Sequence, residues 1–213
     1  VLDELPPGRT PITTEWVADD DDAVWAAVRA EVAEGRQAYV VCPLIDESEA
    51  LEVRSAEEVY AELSQGGLAD LRLGLLHGRV GHAEKEETMG LFRSGAIDVM
   101  VATTVIEVGV NVPNASVMII ENPERLGLAQ LHQLRGRVGR GTTESFCLLL
   151  YQKPLSKMGR ERLEVMRETN DGFVIAEKDL HLRGPGEVLG TRQTGEMSFR
   201  IADLLRDESL LEE

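Results

Sequence analysis

Apolar and polar positions follow two alternating patterns along the chain. Six short runs rich in aliphatic or β-branched residues are typical of strands, and the fully apolar ones are typical of strands buried on both faces of a parallel sheet. The runs are TPITT, QAYVVCPLI, LRLGLLHG, DVMVATT, SVMIIEN and SFCLLLY. Longer segments with a helical pattern lie between them. This alternation, with short connections, predicts an α/β fold: a parallel sheet with helices on both faces.

The helical segments carry start and stop signals. The aspartates of DDDDAVWAAVRAEVAEG suit the positive amino end of a helix, and Gly35 is a stop signal. In SAEEVYAELSQGG, Ser55 is predicted to cap the helix, with Glu58 three residues later. HAEKEETMGLFRSG is predicted to be a helix that ends at Gly95, and LGLAQLHQLRG is predicted to be helical.

The pattern changes after Tyr151. Residues 156–170 and 173–183 are predicted to form two helices separated by the turn signal NDG. The following GPGEVLGTRQTGE is glycine-rich and irregular. The sequence therefore predicts a sheet domain over residues 1–151, followed by a helical hairpin, a loop and a tail over residues 152–213.

Composition narrows the class of protein. Hydrophobic residues make up 43% of the chain and aromatic residues 4%, which predicts a core of mainly aliphatic side chains. Cys42 and Cys147 lie in apolar runs, and we expect two buried, reduced thiols of a cytoplasmic protein rather than a disulfide or a metal site. Neither a membrane-spanning run nor a secretion leader is recognisable. Because the chain starts at Val1 rather than Met, we expect a piece of a longer protein.

Charge is unevenly distributed. The formal net charge is -16, and residues 1–129 carry 9 basic and 24 acidic side chains. Residues 130–200 instead carry 12 basic and 9 acidic side chains. A polyanion is therefore expected to bind the second region, which we predict to form a modest basic face together with Arg79.

The stretch QLRGRVGR, residues 133–140, concentrates three arginines, Arg135, Arg137 and Arg140. Guanidinium groups make paired hydrogen bonds to phosphate oxygens, and the interleaved glycines let the backbone approach a large anion. If the segment is helical, Arg137 and Arg140 project from one face. The pattern indicates a phosphate site, while a basic surface turn or an intramolecular ion-pair cluster remains the alternative.

Two further segments follow predicted strands. In VATTVIEVGVNVPNA the hydroxyls of Thr103 and Thr104 are placed to meet a phosphate, although such threonines more often act as caps or strand residues. In HGRV, His77 is as easily a structural imidazole and Arg79 a surface charge. Because ligands of parallel sheets bind beyond the carboxyl ends of the strands, we expect both segments and QLRGRVGR at that edge.

The order of these segments resembles the second RecA-like lobe of superfamily 2 helicases. YVVCPLID is similar to motif IV, VATTVIEVGVNVP to motif V and QLHQLRGRVGR to motif VI, within residues 10–151. RERLEVMRETNDGFVIAEKDLHLRGPGEVLGTRQTGE is similar to the TRG segment (translocation in RecG) of RecG-type DNA translocases, and LDELPPGRTPITT to the link between their lobes. The transcription–repair coupling factor Mfd has a related TRG segment and is the alternative within this class.

The resemblance implies a RecA-like, P-loop NTPase-type lobe that completes an ATP and Mg²⁺ site held mainly by another lobe. The chain itself has no GxxxxGK[ST] phosphate loop and no DExH-like acidic box. Arg140 is implied to be the arginine finger and Arg137 a second phosphate contact, with Gln133 also facing the nucleotide. Gly109 and Asn111 are implied to lie near the nucleotide, although Asn111 stands where the family usually has Asp.

The same resemblance implies a DNA-binding surface and a moving hairpin. Residues implied to bind DNA are Thr103, Thr104, Arg79 and Gln193. Arg162 and Arg183 are implied to tie the two hairpin helices into a hydrogen-bonding network. On the residues alone, surface salt bridges to Glu161 or Asp179 are the simpler interpretation of these two arginines.

The implied protein is an ATP-dependent DNA helicase that remodels branched DNA and stalled replication forks, with this chain inactive alone. Its implied partners are branched or forked duplex DNA, the N-terminal motor lobe and wedge domain of the same protein, and single-stranded DNA-binding protein, with no membrane and no metal site of its own. A different class stays open: a non-catalytic nucleic-acid or protein-binding module that kept a motor-like fold.

Overall fold

The computed structural model describes residues 10–19, 22–43, 49–103 and 112–183, and of residues 49–54 the backbone only. Six strands are β1 (Ile12–Ala18), β2 (Gln37–Cys42), β3 (Leu73–Leu76), β4 (Val99–Thr103), β5 (Ala115–Glu121) and β6 (Ser145–Tyr151). Six helices are α1 (Ala23–Ala33), α2 (Glu49–Gln65), α3 (His82–Arg93), α4 (Leu128–Arg135), α5 (Lys157–Glu168) and α6 (Gly172–Arg183). A short 3₁₀ helix, Pro123–Arg125, precedes α4.

The strands form one sheet in the order β1-β6-β5-β2-β4-β3, and every pair is parallel. The three central strands read as nearly continuous apolar runs because both of their faces are covered. In register, Val40 of β2 pairs with Val101 of β4 and with Ile119 of β5. The predicted α/β class with a parallel sheet is confirmed.

Two hydrophobic cores lie on opposite faces of the sheet. On one face, Val40 and the other strand residues that point to the same side of the sheet pack with Val28 of α1 and Leu63 of α2. Val41 and its neighbours pack instead with residues of α3, α4, α5 and α6. Because successive strand residues point to opposite faces, one apolar strand supplies both cores. Cys42 and Cys147 are buried free thiols in different cores, as expected from the sequence.

The hairpin of α5 and α6 contributes to the same core as the sheet. Leu163, Met166 and Ile175 are buried in one cluster with Leu128 and Leu131 of α4. The predicted boundary at residue 151 coincides with the end of β6, yet the apolar surface is continuous across it. The division into two units therefore stays a prediction.

Element boundaries differ from the prediction in two places. Helix α2 begins at Glu49, so Ser55 lies inside the helix and does not cap it. Strand β1 continues beyond TPITT to Ala18, because its whole length pairs with β6. Gly35 does end α1, with the left-handed φ of 81° that favours glycine. No helix in the described ranges is long and apolar enough to cross a membrane.

Candidate functional site

The glycine–arginine segment, residues 136–144, lies between α4 and β6. Helix α4 follows β5 and therefore starts at the carboxyl edge of the sheet, and it runs back antiparallel to the strands. The segment after it meets Ile12 at the start of β1 and Pro113 just before β5. The segment is thus at the amino edge of the sheet, and the expectation that it follows a strand at the carboxyl edge is wrong.

Two glycines determine the backbone path of this segment. Gly139 has a φ of 74°, and a Cβ there would lie 2.9 Å from Cγ1 of Ile12. A Cβ on Gly141 would lie 2.8 Å from the carbonyl oxygen of Pro113. A side chain at either position would collide with its neighbour, so the close backbone approach requires glycine. Helix α4 ends at Arg135, and Arg137 and Arg140 therefore project from a turn rather than from a helix face.

Arg137 and Arg140 are both partly exposed in this turn. Nε of Arg140 donates to the carbonyl of Gly136 over 3.4 Å, which leaves the terminal nitrogens of its guanidinium outside that contact. Burial raises the pKa of Tyr39 to about 12, and the positive charges of Arg137 and Arg140 oppose this shift, which indicates that both cations are close to the phenol. Gln133 is exposed on α4, one turn earlier. Two cations at an accessible edge suit an anionic ligand such as phosphate.

Arg135 departs from the other two arginines of the stretch. It is 1% exposed and is the largest fully buried side chain of the described residues. The sequence contained a signal for this placement, since Leu128, Leu131 and Arg135 have the spacing of one helix face and the two leucines are apolar. The three arginines therefore differ in position: Arg135 lies in the core, whereas Arg137 and Arg140 are partly exposed to solvent.

The carboxyl edge brings together the residues that follow β3 and β4. Leu76 pairs with Ala102, so His77 and Thr103 come next on neighbouring strands. Oγ1 of Thr103 and Nδ1 of His77 are buried, and neither has a hydrogen-bond partner in the part of the chain described. Nε2 of His77 lies 3.6 Å from Glu57 of α2. Arg79 is exposed in the turn after His77. Unpartnered polar groups at this edge are suited to a polar ligand.

An acidic group also lies at the carboxyl edge. Glu121 ends β5, and burial together with the carboxylates of Asp19, Glu62 and Glu124 raises its pKa to about 7. Burial and Glu121 similarly raise the pKa of the Cys42 thiol to about 12. The thiol is therefore protonated at neutral pH and inert as a nucleophile.

The two hairpin arginines meet the start of α4. Nη1 of Arg162 donates to the carbonyl of Leu126 over 2.8 Å, while its buried Nε has no partner among the described residues. Nη2 of Arg183 lies 3.2 Å from where a Cβ of Gly127 would be. Arg183 also forms the surface-type ion pair with Asp179, Nε to Oδ2 3.0 Å. Arg162 thus binds backbone rather than Glu161, and both arginines line a cleft of about 280 Å³ beside Gly127.

Four of the predicted site residues lie outside the described ranges, namely Thr104, Gly109, Asn111 and Gln193. Within those ranges there is no group of three His, Cys, Asp or Glu side chains that could hold a metal ion. The contacts and roles of Thr104, Gly109, Asn111 and Gln193 stay predictions.

Two family models match the chain. The helicase conserved C-terminal domain matches residues 22–142, and the model of ATP-dependent DNA helicase RecG, domain 3, C-terminal, matches residues 169–213. ATP-dependent DNA helicase RecG of Escherichia coli K12 is 60% identical over 215 residues, which cover 100% of this chain and 31% of the relative. RecG of Bacillus subtilis is 49% identical, with the same two coverages. The chain thus spans about a third of the length of these relatives.

Solved structures agree with these matches. RecG bound to a three-way DNA junction has a TM-score of 0.72 and 48% identity, and the match covers 99% of this chain and 27% of that one. The C-terminal domain of the DEAD-box protein Dbp5 has a TM-score of 0.52 at 15% identity over 81% of this chain and 97% of the domain, and supports the fold alone. With its sheet, its glycine–arginine segment and a domain model that covers more than half of its length, this chain belongs to the helicase conserved C-terminal domain family.

Proposed function

We propose that this chain is the C-terminal motor lobe of a RecG-type, ATP-dependent DNA helicase that remodels branched DNA and stalled forks in recombination and repair. The observation that carries the proposal is the pair of accessible arginines, Arg137 and Arg140, on a glycine-shaped turn at the amino edge of the sheet. The similar E. coli protein is named an ATP-dependent DNA helicase, and the similar solved RecG is bound to a three-way DNA junction.

Within this function the amino edge faces the nucleotide. Arg140 acts as the arginine finger and Arg137 as a second phosphate contact, with Gln133, Gly109 and Asn111 near the nucleotide. Fixed guanidinium groups stabilise the charge that develops on a transferring phosphoryl group. Mg²⁺ is held mainly by the other lobe of the intact protein.

The carboxyl edge faces the DNA. Thr103, Thr104 and Arg79 contact the phosphate backbone, and Gln193 reaches the duplex from the loop after α6. The buried hydroxyl of Thr103, which has no hydrogen-bond partner among the described residues, supports this assignment, since a phosphate oxygen would accept a hydrogen bond from it. Arg162 and Arg183 connect this edge to the hairpin through Leu126 and Gly127.

The remaining partners follow from the same proposal. They are the N-terminal motor lobe and wedge domain of the intact protein, branched or forked duplex DNA, and single-stranded DNA-binding protein, in the cytoplasm. The match of residues 169–213 to the RecG domain 3 model favours a RecG-type enzyme over the Mfd alternative.

The test is Arg140→Ala in the intact protein that contains this chain. Loss of a finger arginine is expected to lower kcat for DNA-dependent ATP hydrolysis by about 10³-fold, with DNA affinity retained. Arg93→Ala is the matched control, because Arg93 is an exposed arginine of α3 near the same edge. Unchanged ATP hydrolysis in Arg140→Ala would contradict the finger role and favour a non-catalytic binding module.

A further inference from the structure

Arg135 connects three elements from inside the core. Its Nη1 donates to the carbonyl of Met166 over 2.6 Å and to Oγ1 of Thr14 over 3.2 Å. Its Nη2 lies 3.1 Å from Nδ1 of His132, which must accept because a guanidinium only donates. The partners belong to α5, β1 and α4. One fully buried cation therefore joins α4, the edge strand and the hairpin.

The contact with Met166 caps a helix. Helix α5 ends at Glu168, and the carbonyls of its last turn have no partner further along the helix. The carbonyl of Val165 accepts from the N–H of Thr169, and the carbonyl of Met166 accepts from Arg135. These carbonyls carry the partial negative charge of the helix dipole, so a cation is favoured there. Arg135 fixes the position of the carboxyl end of α5.

Stability alone is a poor reason for this arrangement. Burial lowers the pKa of Arg135, and no carboxylate forms an ion pair with it among the described residues. Desolvating a guanidinium is costly, and replacing buried charges with apolar side chains of similar volume is often neutral or stabilising. What the guanidinium provides, and an apolar side chain would not, is a directional link between α4 and α5.

The link is continuous with the proposed nucleotide contacts. The carbonyl of Arg135 accepts from the N–H of Val138, and the N–H of Arg137 donates to the carbonyl of Leu134. Arg140 in turn donates to the carbonyl of Gly136. A shift of Arg137 or Arg140 toward a phosphate would therefore move the backbone of Arg135, and its side chain would carry that shift to α5.

At the other end of the two helices, the donor belongs to α5 and the acceptor to the segment before α4. There Arg162 of α5 donates to the carbonyl of Leu126, just before α4. Helices α4 and α5 thus hold each other at both ends through arginine-to-carbonyl bonds, so the hairpin follows α4 as one body. We propose, on the basis of the proposed function, that Arg135 is a positioning residue that transmits nucleotide-driven movement of the glycine–arginine segment to the hairpin.

The test uses the intact protein and measures DNA base pairs remodelled per ATP hydrolysed on a forked duplex. Arg135→Lys keeps a charge and a single donor nitrogen but loses the planar guanidinium fork, and Arg135→Met removes both the charge and the donors. Each is expected to lower this ratio by about tenfold or more, the range of ordinary coupling between sites, while DNA-stimulated ATP hydrolysis stays within about threefold of wild type. A merely structural role would lower hydrolysis and remodelling together and leave the ratio unchanged.

Two controls separate coupling from stability. Thr14→Val removes the bond to β1 but leaves the cap on α5, and its ratio is expected to equal that of wild type. Leu131→Ala opens a cavity in the same core cluster one turn earlier, and is expected to lower the Tm without lowering the ratio. A wild-type ratio in both Arg135 variants would overturn the inference, whereas absence of DNA-dependent ATP hydrolysis in the wild-type protein would overturn the proposed function instead.

Discussion

The two edges of the sheet satisfy their polar groups in opposite ways. At the amino edge, the Nε2 of buried Gln37 donates to the carbonyls of Phe92 and Ile97, each over 2.6 Å. Arg72 is bound by Asp98 next to β3 and β4. At the carboxyl edge, the side chains of His77 and Thr103 each keep a buried polar atom that the described residues leave without a partner.

The pKa shifts of the carboxylates also differ between the two edges. A hydrogen bond from Arg36 lowers the pKa of Glu31 at the amino edge, and bonds from Arg72 outweigh burial and lower that of Asp98. Burial raises the pKa of Glu121 at the carboxyl edge to about 7. Gln37, Glu31 and Asp98 of the amino edge are paired with other described residues, whereas the carboxyl edge carries buried polar atoms for which the described residues provide no partner. Such polar atoms therefore indicate a second candidate ligand surface, in addition to the two accessible arginines of the amino edge.

The largest effect is expected from Gln37→Leu in the amino edge. The change removes the side-chain donor from the carbonyl of Ile97 and leaves the carbonyl of Phe92 with the N–H of Gly95 alone. It is expected to lower the free energy of unfolding by roughly 3 kcal/mol. Urea denaturation of this chain measures it. Gln65→Leu, in an exposed glutamine at the end of α2, is the matched control and is expected to change it by less than about 0.5 kcal/mol. A loss as small as the control's would show that the amino edge is not held by its internal pairing.

A smaller effect is expected from the pH dependence of Glu121. Its folded-state pKa is raised from 4.5 to about 7, so its contribution to stability is complete below 4.5 and is lost as the pH rises through about 7. The loss should amount to about 2–3 kcal/mol between pH 5 and pH 8. Glu121→Gln, which removes the titration, should be more stable than wild type at pH 8 and converge with it near pH 5.

The control for this prediction is Glu144→Gln, in an exposed carboxylate before β6. Its free energy of unfolding should parallel that of wild type at every pH in the urea series. If Glu121→Gln also runs parallel to wild type, Glu121 is charged in the folded protein and the contrast between the edges weakens.

The sequence predicts the layers of this fold better than the placement of its site. Apolar runs identify the six strands because central parallel strands are buried on both faces, and Gly35 marks a helix end through its left-handed backbone. The location of Arg137 and Arg140 was not predictable from pattern, because it depends on α4 running back across the sheet. The burial of Arg135 was partly predictable, since helical spacing places it with Leu128 and Leu131 on the buried face.

The smallest effect, and the sharpest comparison, is expected from one substitution at each edge. Thr103→Val removes a buried hydroxyl that has no partner in the described part of the chain, and should leave the free energy of unfolding unchanged or raise it by up to about 1 kcal/mol. Thr14→Val removes a buried hydroxyl that accepts from Arg135 and should lower it by about 1 kcal/mol. Urea denaturation of the two variants side by side measures the difference in sign.

The same two variants separate an effect on stability from an effect on DNA affinity. In the intact protein, Thr103→Val is expected to weaken affinity for forked DNA several-fold while the folded protein is at least as stable, because a hydroxyl held for a phosphate is useful only when DNA is bound. Thr14→Val should have the reverse profile, with lower stability and unchanged affinity. If Thr103→Val destabilises the chain as Thr14→Val does, the Thr103 hydroxyl has an internal partner and the carboxyl edge is paired like the amino edge. If affinity and stability both stay at wild-type values, Thr103 is an ordinary strand residue and the DNA contact belongs to its neighbours.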